Sequence, residues 1–562
     1  MFEKKIKDLI SKTIGIKNPE IEIPPKQELG DYAFPCFELS KKLNKSAQEI
    51  ANDLVKKIKK PNFVKEIRAI GPYVNFFIDY SSISKNIINE IFKEKNNFGK
   101  QSVGKNKVIV IDFSSPNIAK PLNIGHLRST VIGNSLYKIY KSLGYKVIGI
   151  NHLGDWGTQF GKLIYAYKTW GSSMELKKEP IKHLLDLYVK FHKESKQNPK
   201  LDDAARDQFQ KLEKHDKKNL ELWKSFRSLS LEEFKKIYKI LNIKFDSYDG
   251  EAFYNSHLEE TLKLAKKSLD TKISEGALIV DLEKFKMPPF FLLKSNETSS
   301  YHLRDLSAAI YRLKKYKPYK ILYVVGCEQE LHFKQLFTVL DLMKLNKDKF
   351  IHVNFGMFSF SDNTMSTREG NIIFLEDVLN KSINLAKKIM TDKKSIAKDD
   401  QEIAKKIGLG AVIFADLSND RNKNIIFNWN RVLAFDGDTS PYLQYTYVRC
   451  LSILEKAKKE YKLKPETNID YKLLKEDSEI KIIKDLSNFK DVLIKSAENY
   501  KPNIVANYLI DLAKDFNEFY NNIRVITNDT NSTKAKIALV FCVSQVIKNG
   551  LNLLGINTVN KM

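Results

Sequence analysis

The chain has 562 residues, 43% hydrophobic and 29% charged, with 94 basic against 68 acidic side chains and a formal net charge of +26. Its length exceeds what one hydrophobic core organises, so several domains are expected, and its hydrophobic share excludes a disordered or fibrous chain. The charge excess points to a polyanionic partner, nucleic acid or an anionic membrane. A coding bias toward Lys, Asn and Ile along the whole chain contributes as well.

No apolar run approaches the roughly 20 residues of a membrane helix. The best, 537–543, is followed by Ser544 and Gln545. The first 15 residues alternate charged and apolar positions and read as a short amphipathic helix, not a secretory signal. The four cysteines, Cys36, Cys327, Cys450 and Cys542, form no CxxC pair, so neither a protein-bound zinc nor a disulfide framework is expected. The cytoplasm is the simplest compartment.

In chain order, helical patterns at 2–12 and 46–59 and a strand pattern at 73–78 predict a small α+β unit. The polar, glycine-containing stretch 94–107 reads as a linker. A β-branched strand at 107–113 leads through a turn rich in Pro, Ser, Asn and Gly into a helix ending near Leu143, stopped by Gly144, and a second strand follows at 147–150. This is a βαβ unit, and it predicts a doubly wound sheet with its ligand at the carboxyl ends of the strands. The turn after the second strand, NHLGDWGTQFG at 151–161, should face the same crevice as the first. Residues 171–243 are Lys- and Glu-rich and almost free of glycine, which predicts an inserted group of helices. Strand patterns at 276–280 and 290–293, then 321–325 and 351–355 with helices at 301–313 and 331–343, are read as continuing the sheet. From 372 onward only helices are predicted, at 375–390, 403–417, 443–461, 480–495, 504–520 and 534–553.

Two stretches carry chemistry. In 112–133, DFSSPNIAKPLNIGHLRSTVIG, Gly125 and His126 stand at a helix start. A glycine there admits a ligand to the backbone, free N–H groups favour an anion, and an imidazole donates to a phosphoryl oxygen. Read alone, this is equally a structural turn. In 364–370, TMSTREG, a Ser/Thr/Arg loop suits closure over a triphosphate, or is a polar surface loop. Both, in this order on this fold, favour a nucleotide site.

With these motifs in view, the chain resembles the class I aminoacyl-tRNA synthetases and, within them, the arginyl-tRNA synthetase family. Asn123–Ile124–Gly125–His126 resembles the class HIGH motif, and Thr364–Met365–Ser366–Thr367–Arg368 resembles KMSKS. SSPNIAKP with GHLRST, NHLGDWGTQFG, FGMFSF with MSTREG, GDTSPYLQYTYVR at 437–449 and LGDYAFP at 29–35 indicate the arginyl subgroup. The resemblance implies an α/β fold: a Rossmann-type parallel-sheet catalytic domain with a helical insertion, a small α+β N-terminal domain and an all-α C-terminal bundle. The corresponding boundaries are 1–95 for the unit touching the tRNA elbow, 105–371 for the catalytic domain with its insertion at 171–243, 372–440 for a connecting region and 441–562 for anticodon binding.

The resemblance further implies ATP-dependent activation of L-arginine, Mg²⁺ accompanying the ATP, and transfer to the terminal ribose of the arginine tRNA, with tRNA bound before activation. Partners are therefore tRNA, L-arginine and ATP, with no membrane; a monomer is expected. It assigns arginine contacts to Asp112, Ser115, Pro116, Asn117, His126, Glu251, Tyr301, Asp305 and Gln329, and ATP contacts to Asn123, Gly125, His126, Met365, Ser366, Thr367 and Arg368. Tyr301 and Asp305, four apart, share a helix face. The residues alone equally permit Asp305 to pair with Arg304 or Arg312, and Tyr301 to be core.

Three positions depart from the family pattern: Asn123 replaces a histidine, Thr364 a lysine, and Glu369 a common basic residue. Catalytic roles are accordingly expected at Lys120, Asn123, His126 and Arg368, with Lys120 supplying the charge the loop lacks. The departures leave two alternatives, a catalytically impaired RNA-binding relative and a class I synthetase for another amino acid. The second is disfavoured by two acids, Asp305 and Glu251, in the side-chain pocket. Of the aromatics Tyr442, Tyr445, Tyr447, Phe516, Phe519 and Tyr520, most are expected in the bundle core and a minority on RNA.

Overall fold

The computed structural model describes residues 2–360, 373–392 and 401–562. The chain divides into two compact units, each assembled from separate stretches: 1–99 with 445–495 and 507–550, and 100–444 with 496–506 and 551–562.

In the first unit, β1 (Tyr32–Pro35), β2 (Val64–Ile70) and β3 (Tyr73–Ile78) form an antiparallel sheet in the order β1-β3-β2. Ser46 and Glu49 close a reciprocal cap at the start of helix Ala47–Lys57, as a Ser-x-x-Glu pattern directs. The stretch read as a linker is not a loose tether. Asn549 donates to the carbonyls of Lys95 and Phe98 at 2.9 and 3.0 Å, and Phe98 is buried against Phe489. A single buried aromatic in a polar stretch is what the composition concealed.

Residues 477–495 of helix Asp477–Glu498 and 507–522 of helix Asn503–Asn522 belong to the same unit. Between them burial, with the carboxyl of Asp515 alongside, pushes the carboxyl of Asp485 up to about 8. Unfolded, the group titrates at about 4. From there up to its folded value the folded chain holds a proton that the unfolded chain lacks. Stability from this group is therefore full below that window and is lost as pH rises through it. Asp485→Asn is expected to raise the melting temperature clearly at pH 8.5 and little at pH 5; equal shifts at the two pH values would refute the assignment.

In the second unit, β4 (Val108–Asp112), β5 (Lys146–Ile150), β9 (Lys320–Tyr323) and β10 (Phe350–His352) form a parallel sheet in the order β10-β9-β4-β5. Ile109, Val110 and Ile111 are wholly buried, as a β-branched run in a parallel sheet covered on both faces requires. The chain runs from β4 to β5 on one side and later pairs β9 on the other. The topological switch point therefore lies between β4 and β9, where a ligand crevice forms.

Two expectations need correction. The strands near 277–280 and 290–293 do not continue this sheet. With β6 (Thr271–Ser274), β7 (Ala277–Val280) and β8 (Phe290–Leu293) form their own antiparallel sheet. Residues 281–289 are too few for the crossover that parallel neighbours need. A strand also exists after 372: β12 (Ile425–Phe427) pairs in parallel with β11 (Phe358–Phe360). Three residues show no periodicity, and the pairing rests on long-range contacts such as Asn424 accepting from the Met357 N–H at 2.8 Å.

The 171–243 insertion is helical as expected, with Ser173–Lys178, Pro180–Gln197, Lys200–Glu213 and Lys217–Ile240. Among the described residues no helix is long and apolar enough to cross a membrane.

Candidate active site

The crevice is built from the segments that follow β4, β5 and β9. The segment after β4 is strained: Ser114, Ser115 and Ala119 have φ of 71°, 45° and 61°, a region that non-glycine residues rarely enter. Its neighbours hold it there. Ser129 Oγ accepts from the Ser114 N–H at 2.8 Å and donates to the Val324 carbonyl at 2.6 Å, joining the loops after β4 and β9. The buried Tyr238 hydroxyl shares a 2.7 Å hydrogen bond with Ser114 Oγ and accepts from Asn151 Nδ2 at 2.9 Å, joining the loops after β4 and β5.

Tyr238 lies on helix Lys217–Ile240, whose Trp223, Arg227, Ser230 and Tyr238 recur at helical spacing on one face. Trp223 donates to the Asp155 carbonyl at 2.6 Å, Arg227 to the Asp155 carboxylate at 2.8 Å, and Ser230 Oγ accepts from the Ala119 N–H at 2.9 Å. One face of the insertion thus fixes both turns. Those four polar positions were the available signal, hidden by the charge of the whole stretch.

At the start of helix Ile124–Ser142, Asn123 and His126 cap each other. The His126 N–H donates to Asn123 Oδ1 at 3.3 Å, and the Asn123 N–H donates to His126 Nδ1 at 3.1 Å. Burial pushes the His126 imidazole down to about 4, so the ring is neutral near pH 7. With Nδ1 accepting, the proton sits on Nε2, a donor for an anionic ligand. Gly125 is exposed, and a methyl group added there would meet only Asn123 Oδ1, at 3.2 Å, within 4 Å.

The other expected residues fall as follows. Pro116 is buried, its carbonyl accepting from the Gly154 N–H at 3.0 Å; Asn117 is exposed and bridges to Gly154. Gln329 is exposed on the turn after β9. Lys120 lies over the Tyr188 ring at 4.7 Å, with burial pushing its pKa down and no carboxylate at ion-pair distance among the described residues. Met365, Ser366, Thr367 and Arg368, with Thr364 and Glu369, lie outside the described residues. The segment that follows them is anchored to the Gly–His turn: the Ile124 N–H donates to the Ile373 carbonyl at 3.2 Å, and the Leu375 N–H to the Leu122 carbonyl at 2.9 Å.

Four carboxylates surround the crevice, and their pairing discriminates among them. Asp112 is buried and meets the chain's own Arg312 at 2.7 Å, while its other oxygen accepts from Ser115 Oγ at 2.7 Å. Asp155 meets Arg227 at 2.8 Å, and Glu251 meets Arg304 at 3.5 Å. Asp305 meets no guanidinium among the described residues; its neighbours are His332 at 2.7 Å and His152 at 3.8 Å. Burial opposes its charge, but the hydrogen bond and charge of His332 and the charges of His152 and Arg312 outweigh this and hold its pKa below the usual value. Ser300 caps the helix that carries it, accepting from the Leu303 N–H at 3.1 Å, and sets Tyr301, 53% exposed, one turn before Asp305. The structure therefore sets Tyr301 and Glu251 near Asp305 and turns Asp112 inward.

Arg128 was not anticipated. Fully buried, it meets Asp416 at 3.2 Å and donates to the carbonyls of Gly356, Lys423 and Arg421, fastening the helix behind the Gly–His turn.

Comparison with known proteins covers the whole chain. A family model described as tRNA synthetases class I (R), catalytic domain matches residues 86–429; DALR anticodon binding domain matches 443–562; Arginyl tRNA synthetase N terminal domain matches 1–78. The chain is 45% identical to an arginine--tRNA ligase of Halothermothrix orenii, covering 100% of both chains. It is 44% identical to one of Clostridioides difficile, covering 100% of this chain and 98% of that one. Its fold is similar to Thermus thermophilus arginyl-tRNA synthetase, TM-score 0.84 at 23% identity over 100% of both chains. It is also similar to the Plasmodium falciparum arginyl-tRNA synthetase, TM-score 0.82 at 26% identity over 100% of this chain and 99% of that one.

Proposed function

The chain belongs to the class I arginyl-tRNA synthetase family, and from that premise we propose how its residues activate L-arginine with ATP and pass the arginyl group to tRNA. The observation that carries the reading is the pairing of the crevice carboxylates. Asp112, Asp155 and Glu251 each have an arginine of the chain at ion-pair distance, and among the described residues Asp305 has only imidazoles at that distance, which leaves it open to a guanidinium from outside. A planar two-point contact with Asp305, with the Tyr301 ring alongside, selects arginine over lysine.

In this reading Ser115, Asn117 and Gln329 hold the polar head of the substrate, and Asp112 supports them from beneath. The arginine carboxylate attacks the α-phosphate of ATP, giving arginyl-adenylate and pyrophosphate. A hydroxyl of the terminal ribose of tRNA then attacks the carbonyl carbon, and AMP leaves. No enzyme nucleophile takes part, so positioning and charge stabilisation supply the catalysis. The His126 Nε2–H and the N–H groups at the start of its helix face the phosphates, and Asn123 serves mainly by capping. Lys120 and Arg368 supply positive charge, and Mg²⁺ arrives with ATP. Residues 1–95 would meet the tRNA elbow and 441–562 the anticodon. There Tyr445 and Tyr520 flank Arg449, each ring centre 4.9 Å from the guanidinium, whereas Tyr447, Phe516 and Phe519 are buried. A cytoplasmic monomer completes the reading.

Arginine-dependent exchange of pyrophosphate with ATP, with and without cognate tRNA, tests the proposal. Exchange with arginine supports it; absence of exchange even with tRNA, or exchange with lysine instead, rejects it.

Glu251 adds a pH dependence. Burial, with Asp305 and Asp155 nearby and Arg304 opposing, pushes its carboxyl up to about 8. Below that value it is protonated and neutral; above it, a second negative charge stands near Asp305, held beside Arg304 but strengthening the field that draws the guanidinium. The arginine KM is expected to fall as pH rises from 6.5 to 8, by at most about tenfold per unit. Glu251→Gln should flatten this slope, and a flat parent profile would reject the linkage.

A further inference from the structure

We propose that His332 is a positioning residue for the substrate guanidinium, acting through Asp305. It rests on the reading that Asp305 receives that guanidinium. His332 sits on helix Glu330–Leu342, which follows β9, and is only 9% exposed. Its Nε2 lies 2.7 Å from Asp305 Oδ2. Its ring centre is 5.2 Å from that of Tyr301 and 5.3 Å from that of His302. One imidazole therefore touches both members of the clamp, the carboxylate and the aromatic ring, from a different helix.

The hydrogen bonding fixes what His332 does. A carboxylate only accepts, so Nε2 must carry the proton. Nδ1 is buried and has no hydrogen-bond partner among the described residues. The Nε2–H is therefore the hydrogen bond that His332 contributes to the site, and Nδ1 contributes none. Asp305 is 31% exposed, and the His152 Nε2 on its other oxygen is 3.8 Å away, beyond hydrogen-bond distance. The bond to His332 is thus the one direct hydrogen bond among the described residues that sets the plane of the Asp305 carboxylate. It uses one lone pair of Oδ2 and leaves both oxygens able to accept from a planar guanidinium. Without it the terminal torsion of Asp305 is broad, and the two-point geometry must be ordered by the substrate.

The test uses the full-length protein in tRNA-supported, arginine-dependent pyrophosphate exchange, with His332→Leu, His332→Gln and Asp305→Asn side by side. His332→Leu removes the donor at similar volume and is expected to raise the arginine KM roughly 10- to 100-fold. The turnover at saturating arginine and the ATP KM should stay within about threefold, the interaction being made equally in ground and transition states. His332→Gln, whose amide donates, should recover most of the loss. An arginine KM unchanged in His332→Leu while raised in Asp305→Asn overturns the inference and leaves the reading of Asp305 standing. An arginine KM unchanged in Asp305→Asn overturns that reading itself. Equal losses in arginine KM, ATP KM and turnover, with no recovery by Gln, also overturn the inference by making His332 merely structural. In the parent labelled with ¹⁵N at histidine, the His332 resonance should report the Nε2–H form and move on addition of L-arginine; a resonance that saturating arginine does not move overturns the proposal without any variant.

Discussion

Asp305→Asn is expected to raise the arginine KM by about two orders of magnitude or more while leaving the ATP KM within about threefold. The variant keeps the shape of the side chain and one acceptor oxygen but removes the charge, and the new amide presents N–H groups to a guanidinium made only of donors. Removing a charge-assisted, two-point hydrogen-bonded pair from a partly enclosed pocket costs ~2–5 kcal/mol, of which ~2.7 kcal/mol already gives a hundredfold. Glu251 cannot substitute, since it lies beside Arg304, and Asp112 is held by Arg312. Kinetics of pyrophosphate exchange with each substrate varied in turn checks this. Equal loss for arginine and ATP would place Asp305 outside the guanidinium pocket.

That Tyr301 and Asp305 share one helix turn was legible in the sequence because their spacing is local. Tyr301 and Asp305 are four apart on a helix that a serine cap starts, and neither fact depends on the rest of the chain. The Gly–His turn was legible for the same reason: a strand, a costly turn and a helix follow one another without interruption. The pairing of the acids was not legible. Arg304 and Arg312 are both near Asp305 in sequence, and each was an equally good partner for it. The fold sends Arg304 to Glu251 and Arg312 across to the end of β4, which no local pattern foretells. His332 and Tyr238 stayed hidden likewise, since each acts on a residue far away in the chain. Lys120 shows the same limit: no local pattern foretells that its ammonium lies over the Tyr188 ring of the insertion.

Arg312→Met is expected to destabilise the protein by ~3–5 kcal/mol, because it leaves a charged carboxylate buried without its partner. Arg312 is 1% exposed and Asp112 4%, so water cannot take over. Methionine fills much of the same volume, so the loss reports the charge more than a cavity. Asp112→Asn alone should cost less, and Asp112→Asn with Arg312→Met less than Arg312→Met alone, since the double variant buries no unpaired charge. The coupling reaches the site through Ser115, which donates to Asp112 and is held at a φ of 45°. Released from that bond, the strained turn relaxes, and the residues expected to hold the substrate's polar head move with it. If Asp112 instead met arginine directly, Asp112→Asn would raise the arginine KM as much as Asp305→Asn at an unchanged melting temperature. The inward geometry predicts the reverse: a lowered melting temperature, a smaller rise in arginine KM, and a stability deficit partly recovered in the double variant. Melting and exchange kinetics on the four proteins of the cycle separate the two accounts.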